Sequence, residues 1–125
     1  MSSERKSALV LVAHGSRRVV SNDEIRELAA RLAASQANEF FMVQPAFLEL
    51  AEPSIPDGIE ACIQRGAMEV VVFPYFLSAG RHVAEDIPAE VKIKQAQYPH
   101  MPISIADYLG IAADMPEMIL DHLRG

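Results

Sequence analysis

The sequence predicts an α/β fold, an open four-stranded parallel sheet with helices on both faces. Three observations carry that reading. Four short apolar runs alternate with four stretches of helical character. Three of the helix starts share one pattern, a capping side chain two residues before a proline. The chain has 125 residues, enough to bury one core and too few for two. A single domain over residues 1–125 is therefore expected.

The first strand is Ala8 to Ala13. In the helix that follows, Ile25, Leu28, Ala29, Leu32 and Ala33 fall at i, i+3, i+4, i+7 and i+8, one apolar stripe. Ser21 with Glu24 reads as a capping box at its start. Phe40 to Phe47 is the second strand. The second helix opens at Ser54 in Ser54-Ile55-Pro56-Asp57, buries Ile55, Ile59, Cys62 and Ile63, and stops at Gly66 in a left-handed position. Glu69 to Pro74 is the third strand, and Asp86-Ile87-Pro88 begins the third helix. Pro102 to Ala106 is the fourth strand, and Asp114-Met115-Pro116-Glu117 begins the last helix. Proline is tolerated in each first turn because its missing N–H has no intrahelical partner there. Right-handed crossovers between parallel strands then distribute the helices over both faces.

Composition narrows the function. Half of the residues are hydrophobic and 22% are charged, which is the balance of a globular chain. No apolar run approaches the roughly 20 residues that span a bilayer, and no basic segment leading into an apolar one follows Met1. A cytoplasmic protein with no membrane partner is expected. Eleven basic against 17 acidic residues give a net charge of -6, which opposes nucleic-acid binding. The single cysteine, Cys62, has neither a disulfide partner nor a second thiolate for a zinc site, and it reads as core packing.

Two turns hold the chemistry. His14 lies in Ala13-His14-Gly15-Ser16-Arg17, directly after the first strand, and His82 in Ser78-Ala79-Gly80-Arg81-His82, shortly after the third. In an open parallel sheet, ligands bind outside the carboxyl ends of the strands. The loops on that edge carry His14 with Arg17, then Glu49, then His82 with Arg81, then Asp107. Strands are only about 4.8 Å apart, so side chains from the first three loops can reach one small object. Two imidazoles and a carboxylate suit borderline divalent ions such as Fe, Co, Ni or Zn, and neutral imidazole also accepts protons. Gly15 and Gly80 are read as positions of positive φ or close backbone approach, or as simple turns. Asn22 reads equally as a helix-start residue or a ligand contact, and His100 and His122 lie away from the edge. A phospho-acceptor receiver domain needs acids where this chain has His14 and Pro74, and a histidine phosphatase needs Arg-His-Gly in that order. Neither fits.

The blocks Leu9 to Arg17 (LVLVAHGSR) with Asn22, Ala46 to Ile55 (AFLELAEPSI) and Phe73 to Pro88 (FPYFLSAGRHVAEDIP) together resemble the short form of the CbiX/SirB family of sirohydrochlorin chelatases. The resemblance implies a chelatase-like half unit that inserts a divalent metal into sirohydrochlorin. Co2+ is favoured, with Fe2+ or Ni2+ on the same substrate, or a metal- or tetrapyrrole-binding protein without turnover, as alternatives. It also implies that His14 and His82 are catalytic and that they bind the metal together with Glu49. Sirohydrochlorin is a polycarboxylate, so Ser16, Arg17, Ser78, Gly80 and Arg81 are expected to hold its periphery. Two-domain relatives contain two copies of the unit around a cleft, which implies a homodimer here. One departure stands out. Relatives often carry a histidine soon after the Leu-Gly that follows the fourth strand, whereas Leu109-Gly110 here leads into Ile111-Ala112-Ala113-Asp114.

Overall fold

The structure, a computed structural model, describes residues 6–35 and 39–125. The strands are β1 (Ser7–Ala13), β2 (Met42–Phe47), β3 (Glu69–Pro74) and β4 (Ile103–Ile105), and the helices are α1 (Val19–Ala34), α2 (Ile55–Gln64), α3 (Ile87–Gln97) and α4 (Met115–Arg124). A π-helical turn over His82–Asp86 runs directly into α3, and a 3-10 turn over Leu109–Ile111 precedes α4. The sheet order is β2-β1-β3-β4, all parallel, with Val10 opposite Gln44 on one side and Val72 on the other. The chain leaves β1 for β2 on one side and returns across it to β3 on the other. Strand order therefore reverses between β1 and β3, and a crevice opens at the carboxyl ends of that pair. Pro45 interrupts no ladder because β2 is an edge strand.

The core lies on one face. Ala8, Val10 and Val12 of β1, Ala46 of β2, Val70 and Val72 of β3 and Ile103 of β4 pack against Ile55, Ile59 and Cys62 of α2 and Ile87 and Val91 of α3. Burial pushes the Cys62 thiol up to about 11, as suits a packing residue rather than a reactive one. The right-handed rule puts α1 on the opposite face, where only Asn22 and Ala29 of that helix are fully covered. None of the residues of α4 is buried. Among the described residues, no helix is long and apolar enough to cross a membrane.

Strand positions follow the apolar runs closely. The second and fourth strands are shorter than Phe40 to Phe47 and Pro102 to Ala106, although Pro102 and Ala106 still bond to β3. Of the expected caps, Ser54 behaves as read: its hydroxyl accepts from the Asp57 N–H at 3.2 Å, and Gly66 follows with φ +104. The Ser21–Glu24 capping box is corrected. Helix α1 starts earlier, at Val19, and has no side-chain cap. Its entry is held instead by Asn22, whose carboxamide accepts from the Ser16 N–H (2.9 Å) and donates to the Ser16 carbonyl (2.8 Å). Asp86 is not a cap either. Its backbone is already helical, because the π-turn extends the helix backward through it. Asp114 does sit at the start of α4, but it caps through its backbone carbonyl, which accepts from the Met118 N–H.

One polar network ties α2 to α3. Glu60 accepts from Lys94 Nζ at 2.8 Å and from the Tyr98 hydroxyl at 2.9 Å, and Lys94 also donates to Gln97. The Lys94 ammonium, with Gln64 and Tyr98, holds the Glu60 carboxyl down at about 2. A depressed carboxylate stabilises the fold fully above its unfolded value near 4.5 and loses that contribution as pH falls toward its folded value. Melting temperatures of the Glu60→Gln variant and the parent should therefore differ most above pH 4.5 and converge as pH approaches 2.

Candidate active site

The loops after β1 and β2 are fastened to one another by an extension of the strand ladder. Beyond the last paired residues, the Leu48 N–H donates to the Ala13 carbonyl and the Glu49 N–H to the His14 carbonyl, both at 3.0 Å. On the other side of β1, the Tyr75 N–H donates to the Val12 carbonyl at 2.8 Å. The contact at Gly15 is so close that a Cβ there would lie 1.7 Å from the Glu49 carbonyl oxygen, and its φ of +97 is glycine territory as well. A bond from the Phe47 N–H to the Pro53 carbonyl closes the Leu48–Glu52 loop behind Glu49. His14 and Glu49 are thus brought together by backbone, before any attraction between their side chains.

The side chains complete the site. His14 Nε2 lies 2.6 Å from Glu49 Oε2, His82 Nδ1 lies 2.7 Å from Asp86 Oδ2, and the two imidazole centroids are 4.6 Å apart, edge to face. All four side chains are roughly half exposed. A carboxylate only accepts, so the ring nitrogen facing it carries the proton. In the neutral rings this leaves His14 with a lone pair on Nδ1 and His82 with one on Nε2. Glu49, His82 and Asp86 line a cavity of about 250 Å³ together with Leu48, Ala89 and Glu90. Among the described residues, no three histidine, cysteine or acidic side chains stand ready as a ligand set for a metal ion.

His14, Glu49 and His82 are therefore brought together as the loop order predicts. The peripheral candidates are not drawn in with them. The Ser16 hydroxyl accepts from the Arg18 N–H and so closes a local turn. Arg17, Ser78, Gly80 and Arg81 are all exposed, and Arg81 approaches Glu85 only at 3.8 Å. Gly80 needs neither of the freedoms expected of it, since its φ is not positive and a Cβ would meet open space. Asp86 is the residue that sequence reasoning misassigned, and its signal is the four-residue spacing from His82. Sequence reasoning also missed an apolar groove of about 700 Å³ between the β3 loop and the start of α4, lined by Leu77, Ile111, Ala112, Met115 and Ile119. Gly110 makes it possible: a Cβ there would lie 1.8 Å from the Leu77 carbonyl oxygen.

A family model described as CbiX matches residues 8–125. The chain is 35% identical over 124 residues to the chloroplastic sirohydrochlorin ferrochelatase of Arabidopsis thaliana, which covers 94% of this chain and 54% of the plant protein. It is 40% identical over 81 residues to the sirohydrochlorin cobaltochelatase of Methanocaldococcus jannaschii, covering 65% of this chain and 55% of that one. The chain thus spans about half the length of these relatives. A crystal structure of a cobalamin (vitamin B12) biosynthesis CbiX protein from Marinobacter aquaeolei VT8 superposes with a TM-score of 0.78 at 29% identity, over 94% of each chain.

Gly15→Ala should lower stability by more than about 1 kcal/mol, because it adds both a forbidden φ and a backbone collision. Gly80→Ala should melt at or slightly above the parent temperature. Thermal denaturation of the two variants side by side checks both.

Proposed function

From the premise that the chain belongs to the CbiX family, we propose that it inserts a divalent metal ion into sirohydrochlorin, with Co2+ the first candidate and Fe2+ or Ni2+ on the same substrate the others. The observation that carries this reading is the meeting of His14 and His82, 4.6 Å apart at the strand-order reversal, with a carboxylate on each ring. Relatives of both kinds match, a cobaltochelatase at 40% identity over 81 residues and a ferrochelatase at 35% over 124, and the residues of the site suit either ion.

The chemistry asks for little more than this site offers. Metallation replaces two pyrrolic N–H protons with one M2+, so two proton acceptors and a transient ligand for the incoming ion are required. Nδ1 of His14 and Nε2 of His82 supply lone pairs for either task. Glu49 orients His14 through the bond to Nε2; were an ion to take the place of that proton, the proton would move to Nδ1 and the Glu49 carboxylate would become a ligand beside Nε2. Arg17, Ser78, Gly80 and Arg81 are exposed on the loops of this edge and, with Ser16, would close on the carboxylates of the macrocycle rim when it binds. The apolar groove at Leu77 and Ile111 lies on the same edge and suits the flat part of a tetrapyrrole.

A second copy of the chain belongs to this reading, in a cytoplasmic setting. Met115, Met118, Ile119 and Leu123 form one stripe along α4, and the last three are wide open. A ten-residue helix without a packed face is marginal in water. A homodimer covers that stripe.

Spectrophotometric metallation of sirohydrochlorin with Co2+, Fe2+ and Ni2+ tests the activity. His14→Ala and His82→Ala should each slow it by about 10² to 10⁴. A loss of less than a few-fold removes that ring from the chemistry, and metal binding without acceleration points to a carrier. Light scattering should give a dimer, and Ile119→Asp with Leu123→Asp should give monomers.

A further inference from the structure

Asp86 is bonded to Nδ1 of His82, and the bond follows from the helix beginning as early as His82. Pro88 lies inside a continuous helical stretch that starts at His82. A proline in that position cannot bond back to Ala84, and its ring crowds the carbonyl there. The chain widens just ahead of it: the Ile87 N–H reaches back five residues to the His82 carbonyl, closing a π-helical turn. The turn carries the helix back as far as His82, and residues four apart on one helix are neighbours on its surface. Here His82 and Asp86 lie one above the other, with Nδ1 and Oδ2 at 2.7 Å, each side chain about two-fifths exposed. Asp86 is thereby withdrawn from helix capping, which its sequence position favours, and its backbone is helical with no cap bond.

We propose that Asp86 is a positioning residue that fixes His82 in the Nδ1–H tautomer and aims its Nε2 lone pair at the reacting metal. The inference rests on the chelatase reading for its consequence but on geometry for its substance. The facing groups are few. Glu49 and Glu90 line the same cavity, and Glu49 is bonded to His14 rather than His82. With the His14 proton held on Nε2, which donates to the Glu49 carboxylate, the two rings hold opposite tautomers and present unlike nitrogens. A carboxylate behind a ligating imidazole fixes ring orientation, and its removal characteristically costs 10- to 100-fold in metal affinity or activity.

Three measurements on full-length protein decide the matter. Imidazole 15N spectra should show His82 as the Nδ1–H tautomer in the parent and in Asp86→Asn, whose amide oxygen still accepts, and as a mixture in Asp86→Ala. Titration with Co2+ alone should weaken by about 10- to 100-fold in Asp86→Ala and by no more than a few-fold in Asp86→Asn. In the metallation assay the Asp86→Ala loss should fall on kcat, with KM for sirohydrochlorin unchanged. An unaltered His82 tautomer or Co2+ affinity in Asp86→Ala overturns the proposal. So does an Asp86→Asn protein that keeps the tautomer yet loses as much as the alanine variant. If the parent fails to metallate sirohydrochlorin, the chelatase reading falls, while the first two measurements still judge Asp86.

Discussion

Everything at the reactive edge depends on the pinning of β1 between two parallel neighbours. A strand in the middle of a parallel sheet has its backbone fixed from both sides, so the residue that leaves its carboxyl end is aimed by the whole ladder. The ladder does not stop at the strand end. It continues through Leu48 and Glu49 on the β2 side and Tyr75 on the β3 side, and it delivers His14 into the crevice with little freedom of its own. The apolar packing of α2 and α3 beneath the sheet supplies the rigidity that this aim requires.

Electrostatics then acts on a small stage. Each imidazole has one nitrogen committed to a carboxylate and one turned outward, an economy that gives two half-exposed rings defined proton positions without burying charge. The two couples are built differently. His14 and Glu49 meet across strands through backbone pairing, whereas His82 and Asp86 meet at four-residue spacing along a single helical stretch. Disturbance of the sheet therefore reaches the first couple, and disturbance of the helix start reaches the second.

Much of this was legible in the sequence, for identifiable reasons. Apolar runs mark strands because a sheet covered on its core face demands them, and the β1 and β3 runs match the observed strands to within a residue. Ser54 reads as a cap because its pattern is satisfied by four consecutive residues. Convergence of His14, Glu49 and His82 was legible because loops after parallel strands share an edge. Asp86 was not, because the same cap-and-proline grammar describes it and only the tertiary course of the preceding turn extends the helix backward. Asn22 was hidden for a similar reason, since its reciprocal bonds to Ser16 span a loop whose path no local pattern dictates. The intrusion of Gly110 against Leu77 is likewise a meeting of two loops distant in sequence.

The tight seating of Gly15 on the Glu49 carbonyl also limits what variation the fold tolerates. An insertion beside Glu49 would move the carbonyl on which Gly15 rests, so the backbone path of that loop has little room to change. The stretch from Ser78 to Arg81 carries no comparable constraint: it is open to solvent, and Gly80 has space around it. Variation in a chain of this design can therefore gather at those four residues and leave the rest of the crevice intact.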